Sequence, residues 1–316
     1  MMAADGPTVV IAEFMDEAAV ARLSAATPTL YDPALVDAPE RLAALLTDAR
    51  ALVVRNRTQV RAPLLETALR LECVGRLGVG LDNIDVALCR ARGVAVYPAT
   101  GANDVAVAEY VLGAALTLVR RSFGATGPVA AGRWPRNDCI GGELAGRTMG
   151  LVGFGGTARA VARRAAAFDM RLAAFDPFLP AADPAWRDVR RMAEIEPLLA
   201  EADVLSLHVP LTETTRLMID ERALALMRPG AVLVNAARGG VVDEAAVVEA
   251  LRRGRLGGAA LDVFETEPLD AVAGGRFADA PNLLLSPHVA GVTVESNIRV
   301  SHLIAEKVAA HLGLRL

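Results

Sequence analysis

The chain has 316 residues, 53% of them apolar, and a formal net charge of −4. That length exceeds one ordinary domain, and the apolar share can fill sizeable cores. The slight acidity excludes a dedicated nucleic-acid or anionic-membrane surface, and with Lys307 as the single lysine there is no G-x-x-x-x-G-K-[ST] phosphate loop and only one candidate for Schiff-base chemistry.

The amino-terminal MMAADGPTVVIAEF has no cationic stretch ahead of its apolar residues, so it does not read as a secretory signal. The first hundred residues alternate the short apolar runs TVVIAEF, ALVVRN, LECVGRLG and VAVYPA with helical stretches, which predicts a small α/β unit. A long helix is expected over Asp104–Arg120; its apolar run is broken by Glu109 and is too short to span a bilayer. Gly127, Pro128, Gly132, Trp134 and Pro135 then mark an irregular hinge and exposed arm. From Thr148 the runs MGLVGF, RLAAFD, VLSLHV, AVLVNA and GGAALDV follow, with helical patterns such as ARAVARRAAAF and DEAAVVEALRRG among them. Strands apolar on both faces belong in a parallel sheet under helices. Right-handed crossovers make such a sheet doubly wound. A last helix near 295–312 is expected to return to the first domain. The expected organisation is therefore α/β. A Rossmann-type parallel sheet (102–287) is inserted into a smaller flavodoxin-like α/β substrate or lid domain (1–101, completed by 288–316).

Cys73, Cys89 and Cys139 form no C-x-x-C pair, an odd scattered set that fits buried thiols in a reducing, cytoplasmic compartment. His208, His288, His302 and His311 never fall at H-x-x-x-H spacing, so no metal site is expected. His302 and His311 are expected on the surface of the last helix.

The strongest local signal is TMGLVGFGGTARAVA, in which Gly153, Gly155 and Ala158 fill G-x-G-x-x-G/A. Gly153 permits a tight strand-to-helix turn, Gly155 lets backbone approach a pyrophosphate, and a small residue at 158 lets helix pack on strand. Gly156 offers no side chain to the phosphates, so binding rests on backbone amides, Thr157 and the helix end. Asp176 ends the next strand, where an acid accepts from ribose hydroxyls and repels a 2′-phosphate; NAD is favoured over NADP. The competing reading of Asp176 is a turn residue before Pro177.

Three later segments present ionisable residues just beyond strands: Arg238 in VNAARGGVVDE; Asp262, Glu265 and Glu267 in LDVFETEP; and His288 in LSPHVAG. Oxidising a 2-hydroxy acid needs a cation for the carboxylate, a base for the hydroxyl proton and an acid to orient that base. Arg238, His288 and a glutamate supply the set. Each also has a plainer explanation, as a helix-cap partner, a structural histidine or a loop acid.

With GRLGVGLDNID, TGANDVAVAEY, HVPLTETTRLMI, NAARGGVVDE, LDVFETEP and SPHVAG, the chain resembles the D-isomer-specific 2-hydroxyacid dehydrogenases from about residue 53 to 291. The resemblance implies that Arg238 binds and polarises substrate, His288 is the acid/base and Glu267, not Glu265, its partner. It places Asp262 at the nicotinamide carboxamide; His208, Val209, Pro210 and Thr215 along adenosine and phosphates; and Ala236 near the nicotinamide ribose, with Ala237 and Gly291 also in the cofactor set. Backbone amides at Val79 and Gly80 would hold the substrate carboxylate, with Arg55 and Asn103 nearby. Arg57 and Arg76 either receive a second anionic group or are simply solvated. The family further implies a two-domain subunit closing over a cleft and a homodimer built on the Asp104–Arg120 helix and the arm.

The substrates in view are glyoxylate, hydroxypyruvate/glycerate, 3-phosphoglycerate and sulfolactate or their keto partners. A non-catalytic NAD(H)-sensing corepressor is the alternative, although it needs no intact acid/base pair. Formate dehydrogenase is disfavoured because that branch carries Gln at the position of Glu267.

Overall fold

The computed structural model describes residues 6–316 and divides into two compact units, Met1–Asn103 with Val292–Leu316, and Asp104–Gly291. The second crossing lies a few residues beyond the expected one, so His288 belongs with the second unit. Residues 1–5, at the start of the expected 1–101 domain, lie outside the described residues.

In the first unit, strands β1 (Val9–Ile11), β2 (Thr29–Tyr31), β3 (Ala51–Val54), β4 (Cys73–Arg76) and β5 (Ala95–Pro98) form a parallel sheet in the order β2-β1-β3-β4-β5. Its side chains alternate between two cores, as the pleat requires. Val9, Ile11 and Val53 face the core completed by Ile304 and Val308 of the carboxyl-terminal helix Val294–His311. Val10, Leu52 and Val54 face the other, with Leu42, Leu46 and Leu65. A capping box between Thr293 and Ser296 starts that last helix. His302 and His311 are not free surface residues. His302 meets Arg22 and Asp16, and His311 Nδ1 lies 2.9 Å from the Tyr97 hydroxyl, pinning the helix to its own unit.

The second unit holds a seven-stranded parallel sheet: β6 (Thr148–Val152), β7 (Arg171–Phe175), β8 (Arg190–Met192), β9 (Val204–Leu207), β10 (Ala231–Asn235), β11 (Leu256–Leu261) and β12 (Leu283–Leu285). The order is β12-β11-β10-β9-β6-β7-β8, with apolar cores on both faces. The chain runs outward from β6 to β8 and then returns to β9 on the other side. The β6/β9 boundary is thus the switch point, where open α/β sheets leave a crevice beyond the strand ends. The helix Asp104–Arg120 packs on the helix Gly156–Ala166 over this sheet. The arm that follows carries exposed Phe123, Trp134 and Ile140. Among the described residues, no helix is long and apolar enough to cross a membrane.

Candidate active site

Six successive strand ends of the second unit carry the residues singled out above. After β6, Gly153 turns with φ +84°, and any Cβ there would lie 2.6 Å from the His208 carbonyl oxygen at the end of β9. Only glycine closes this turn across the switch point. Gly155 caps the helix Gly156–Ala166 without a side-chain acceptor, and the space where its Cβ would lie is open for 4 Å.

Asp176, just past β7, holds two pieces of backbone. Its Oδ2 accepts from Phe154 N (2.9 Å), and its Oδ1 from Phe178 N (2.9 Å) and Leu179 N (3.2 Å). It is therefore a turn residue as well, yet a carboxylate has about four acceptor sites and keeps capacity for ribose hydroxyls. An open glycine cap at a helix amino end and an acid at the next strand end together fit a dinucleotide without a 2′-phosphate.

Beyond β9, Ser206 Oγ sits 3.0 Å from His208 Nε2, and burial of the ring pulls its pKa down to about 4. The imidazole is neutral under ordinary conditions. Val209 and Pro210 lead into a loop tied by Thr215, whose hydroxyl donates to the Pro210 carbonyl (2.6 Å) and accepts from Thr212 N (2.8 Å). The Thr157 hydroxyl proton is committed to Asp104 Oδ1 (2.6 Å), which leaves the backbone amide as its contribution to an anion.

The chemistry-bearing side chains follow β10, β11 and β12. Buried Asn235 clamps the turn after β10, accepting from Ala237 N (3.1 Å) and donating to the Arg238 carbonyl (2.9 Å), so Ala236 and Ala237 lead directly to Arg238. Asp262, 1% exposed, organises the turn after β12. Its Oδ1 accepts from Ser286 Oγ (2.6 Å) and Val289 N (2.9 Å), its Oδ2 from Ala290 N (2.8 Å), and its carbonyl from His288 N (2.8 Å). The Tyr110 hydroxyl lies 2.7 Å from Ser286 Oγ, extending the chain to the helix Asp104–Arg120. His288 emerges from this turn exposed and at φ +55°.

His288 Nδ1 lies 2.7 Å from Glu267 Oε2, while Glu267 Oε1 accepts from Phe264 N at 3.0 Å. Burial pushes the Glu267 carboxyl upward. The hydrogen bonds from His288 and Phe264, with the charges of His288 and Arg238, outweigh it, and the net shift is downward. Glu265 is engaged elsewhere, exchanging backbone contacts with Glu244 and pairing with Arg276 (3.5 Å).

In the first unit, the loop after β3 is held from both sides. Glu13, 5% exposed, accepts from Arg55 N and Thr58 N at 2.9 Å through one oxygen, and from Arg57 N (3.2 Å) and Asn56 N (3.3 Å) through the other. Asn83 Nδ2 donates to the Thr58 carbonyl at 2.7 Å. Arg55 donates to Asn297 Oδ1 (3.1 Å); burial lowers its pKa, opposed by the Glu13 charge, and it stays cationic. Arg57 pairs with exposed Asp37, and the Arg76 guanidinium folds over Gly78. Val79 and Gly80 follow β4, and Asn103 ends the first segment of the unit. Glu13, Asn83, Asn235, Ser286 and Tyr110 did not emerge from the sequence.

The family model for the NAD-binding domain of D-isomer-specific 2-hydroxyacid dehydrogenases matches residues 112–290. The chain belongs to that family. As a member of the D-isomer-specific 2-hydroxyacid dehydrogenases it is an oxidoreductase that uses NAD(H). It is 52% identical to the (S)-sulfolactate dehydrogenase of Chromohalobacter salexigens, over 97% of this chain and 99% of that one. It is 38% identical to the hydroxypyruvate reductase of Thermotoga maritima, over 87% and 89%. The structure of a glyoxylate reductase from Paecilomyes thermophila superposes with a TM-score of 0.86 at 26% identity, covering 98% of this chain and 97% of that one.

Proposed function

We propose that this dehydrogenase interconverts a small 2-hydroxy acid and its 2-keto partner through Arg238, Glu267 and His288, and that the substrate carries a second anionic group, with sulfolactate/sulfopyruvate first in line. The mechanism is carried by the 2.7 Å contact between His288 Nδ1 and Glu267 Oε2. A depressed pKa keeps Glu267 ionised at neutral pH, so it can only accept. Nδ1 then bears the hydrogen and Nε2 is the base. In oxidation, Nε2 takes the hydroxyl proton as C2 loses hydride; in reduction, the imidazolium gives the proton to the carbonyl oxygen. Bound NAD supplies the acceptor or donor of that hydride. Arg238 grips the substrate carboxylate with its two-pronged fork. Asp262 positions His288 through the 286–290 turn.

For the dinucleotide, Gly153, Gly155, Gly156, Thr157 and Ala158 supply the turn and amides for the pyrophosphate and Asp176 the ribose acceptor. His208, Val209, Pro210, Thr215, Ala236, Ala237 and Gly291 complete the cofactor set. The first unit contributes Arg55, Val79, Gly80 and Asn103 to substrate binding. Two things support a second anion: the near full-length relative named for sulfolactate, and the rigid loop that carries Arg55 and Arg57. We also assign the enzyme to the cytoplasm, and to a homodimer on the strength of the apolar arm, where Trp134 is 80% exposed.

A keto-acid panel followed by NADH absorbance tests the reading. Sulfopyruvate should show the highest kcat/KM, hydroxypyruvate and phosphohydroxypyruvate intermediate values, and glyoxylate the lowest. Tight NADH binding without turnover of any of them would favour the corepressor-like sensor instead.

A further inference from the structure

Asp104 stands where two helices begin. It opens the helix Asp104–Arg120, and its Oδ1 accepts from Thr157 Oγ1 at 2.6 Å in the first turn of the helix Gly156–Ala166. Further along, Arg164 Nη2 reaches Glu109 Oε1 at 3.4 Å. Early residues thus meet early and later residues meet later, so the helices run in the same direction and their amino ends coincide. A Cβ on Gly156 would lie 2.5 Å from Asp104 Oδ2 and 3.4 Å from its Cγ. The half-buried carboxylate therefore fills the volume that any side chain at position 156 would take. That accounts for the bare glycine at this point of the motif.

Helix amino ends attract anions through unpaired amides and the macrodipole. At the helix Gly156–Ala166 the cap residue brings no side-chain acceptor, and the Asp104 carboxylate stands in its first turn, hydrogen-bonded to Thr157. We propose that Asp104 is a built-in competitor of the cofactor's pyrophosphate. Its carboxylate stabilises this helix end in the free enzyme and opposes the phosphates when a dinucleotide binds, setting affinity below what the glycine-rich turn alone would give. Thr157 and Gly156 position it, one by a hydrogen bond and the other by leaving room.

The proposal rests on assigning the glycine-rich turn to the pyrophosphate, and its test separates the two. The full-length enzyme is compared with Asp104→Asn, which keeps an acceptor for Thr157, and with Asp104→Thr, neutral and of another shape. Calorimetry measures binding of NADH, ADP and adenosine, and thermal unfolding is followed without ligand. Both variants should bind NADH and ADP roughly 5–10-fold more tightly at low salt, with the gain shrinking as salt rises. Adenosine affinity should not change. The unliganded midpoint should fall by about 1–3 °C, so tighter binding accompanies a less stable free enzyme. Unchanged or weaker ADP binding in both variants overturns the proposal, as does an equal gain for adenosine. Wild-type enzyme that binds adenosine and ADP equally well would instead remove the pyrophosphate assignment beneath it.

Discussion

Glu267 Oε2 and His288 Nδ1 stand 2.7 Å apart, and backbone hydrogen bonds fix both residues: Phe264 N donates to Glu267, and His288 N to the Asp262 carbonyl. A pair held by its own loops is already in place before substrate arrives, and such preorganisation lowers the barrier to proton transfer. Glu267→Gln keeps the shape and removes the charge beside the imidazole. Reduction should slow on the order of 10²-fold. NADH affinity should stay within about twofold, because the glycine-rich turn is untouched. Reduction rates of the two proteins with the same keto acid check this; an unchanged rate would remove Glu267 from the mechanism.

His288 itself sits at φ +55°, where most L residues are strained and asparagine is tolerated. His288→Asn is therefore a cleaner probe than alanine. Turnover should drop by at least about 10²-fold while NADH binding, read by calorimetry, is nearly intact. Oxidation should be fastest at a higher pH than reduction in the wild type, since one direction needs neutral imidazole and the other its protonated form. Identical profiles would contradict the assigned role.

The fold was legible wherever a strand is buried on both faces. Val204–Leu207 and Ala231–Asn235 announce themselves as unbroken apolar runs. The edge strands Thr29–Tyr31 and Arg190–Met192 are three residues long and nowhere fully buried, so they leave no pattern to read. Candidate site residues were legible at strand ends: Arg238 and Asp262 follow the core strands Ala231–Asn235 and Leu256–Leu261, whereas His288 follows the short edge strand Leu283–Leu285 and was marked by its Ser-Pro-His-Val-Ala-Gly context. The residues that hold them were not. Tyr110 meets Ser286 across 176 positions and Glu13 meets Thr58 across 45. Each is a single polar residue whose partner only the folded chain identifies. Asp262 shows the same limit: its place at a strand end was readable, but its grip on three donors of the His288 turn was not.

The loop that carries Arg55 and Arg57 gives a prediction about selectivity. Among the described residues the Arg57 guanidinium pairs with exposed Asp37, a contact that water screens strongly and that a substrate anion can replace. Arg57→Ala should raise KM for sulfopyruvate by about tenfold, the equivalent of roughly 1.4 kcal/mol, and leave glyoxylate within about twofold. Glu13→Gln should damage both substrates, because one carboxylate serves four amides and the amide replacement accepts through one oxygen only. Equal losses for both substrates in Arg57→Ala would show that no second anion is read there.

His208 gives a prediction about stability rather than rate. Its ring is neutral in the fold, with a pKa lowered from 6.5 to about 4 by burial. Between those values the unfolded chain binds a proton that the native state refuses, so stability rises with pH across that window and is indifferent to this group above it. His208→Asn should flatten the slope there. The wild type should lose up to about 3 kcal/mol more than the variant on descending through the window. Urea midpoints taken at several pH values on either side of 6.5 give the difference directly, and carboxylates that titrate alike in both proteins cancel from it. Parallel curves for the two proteins would mean that His208 accepts its proton in the native state as readily as in the unfolded one.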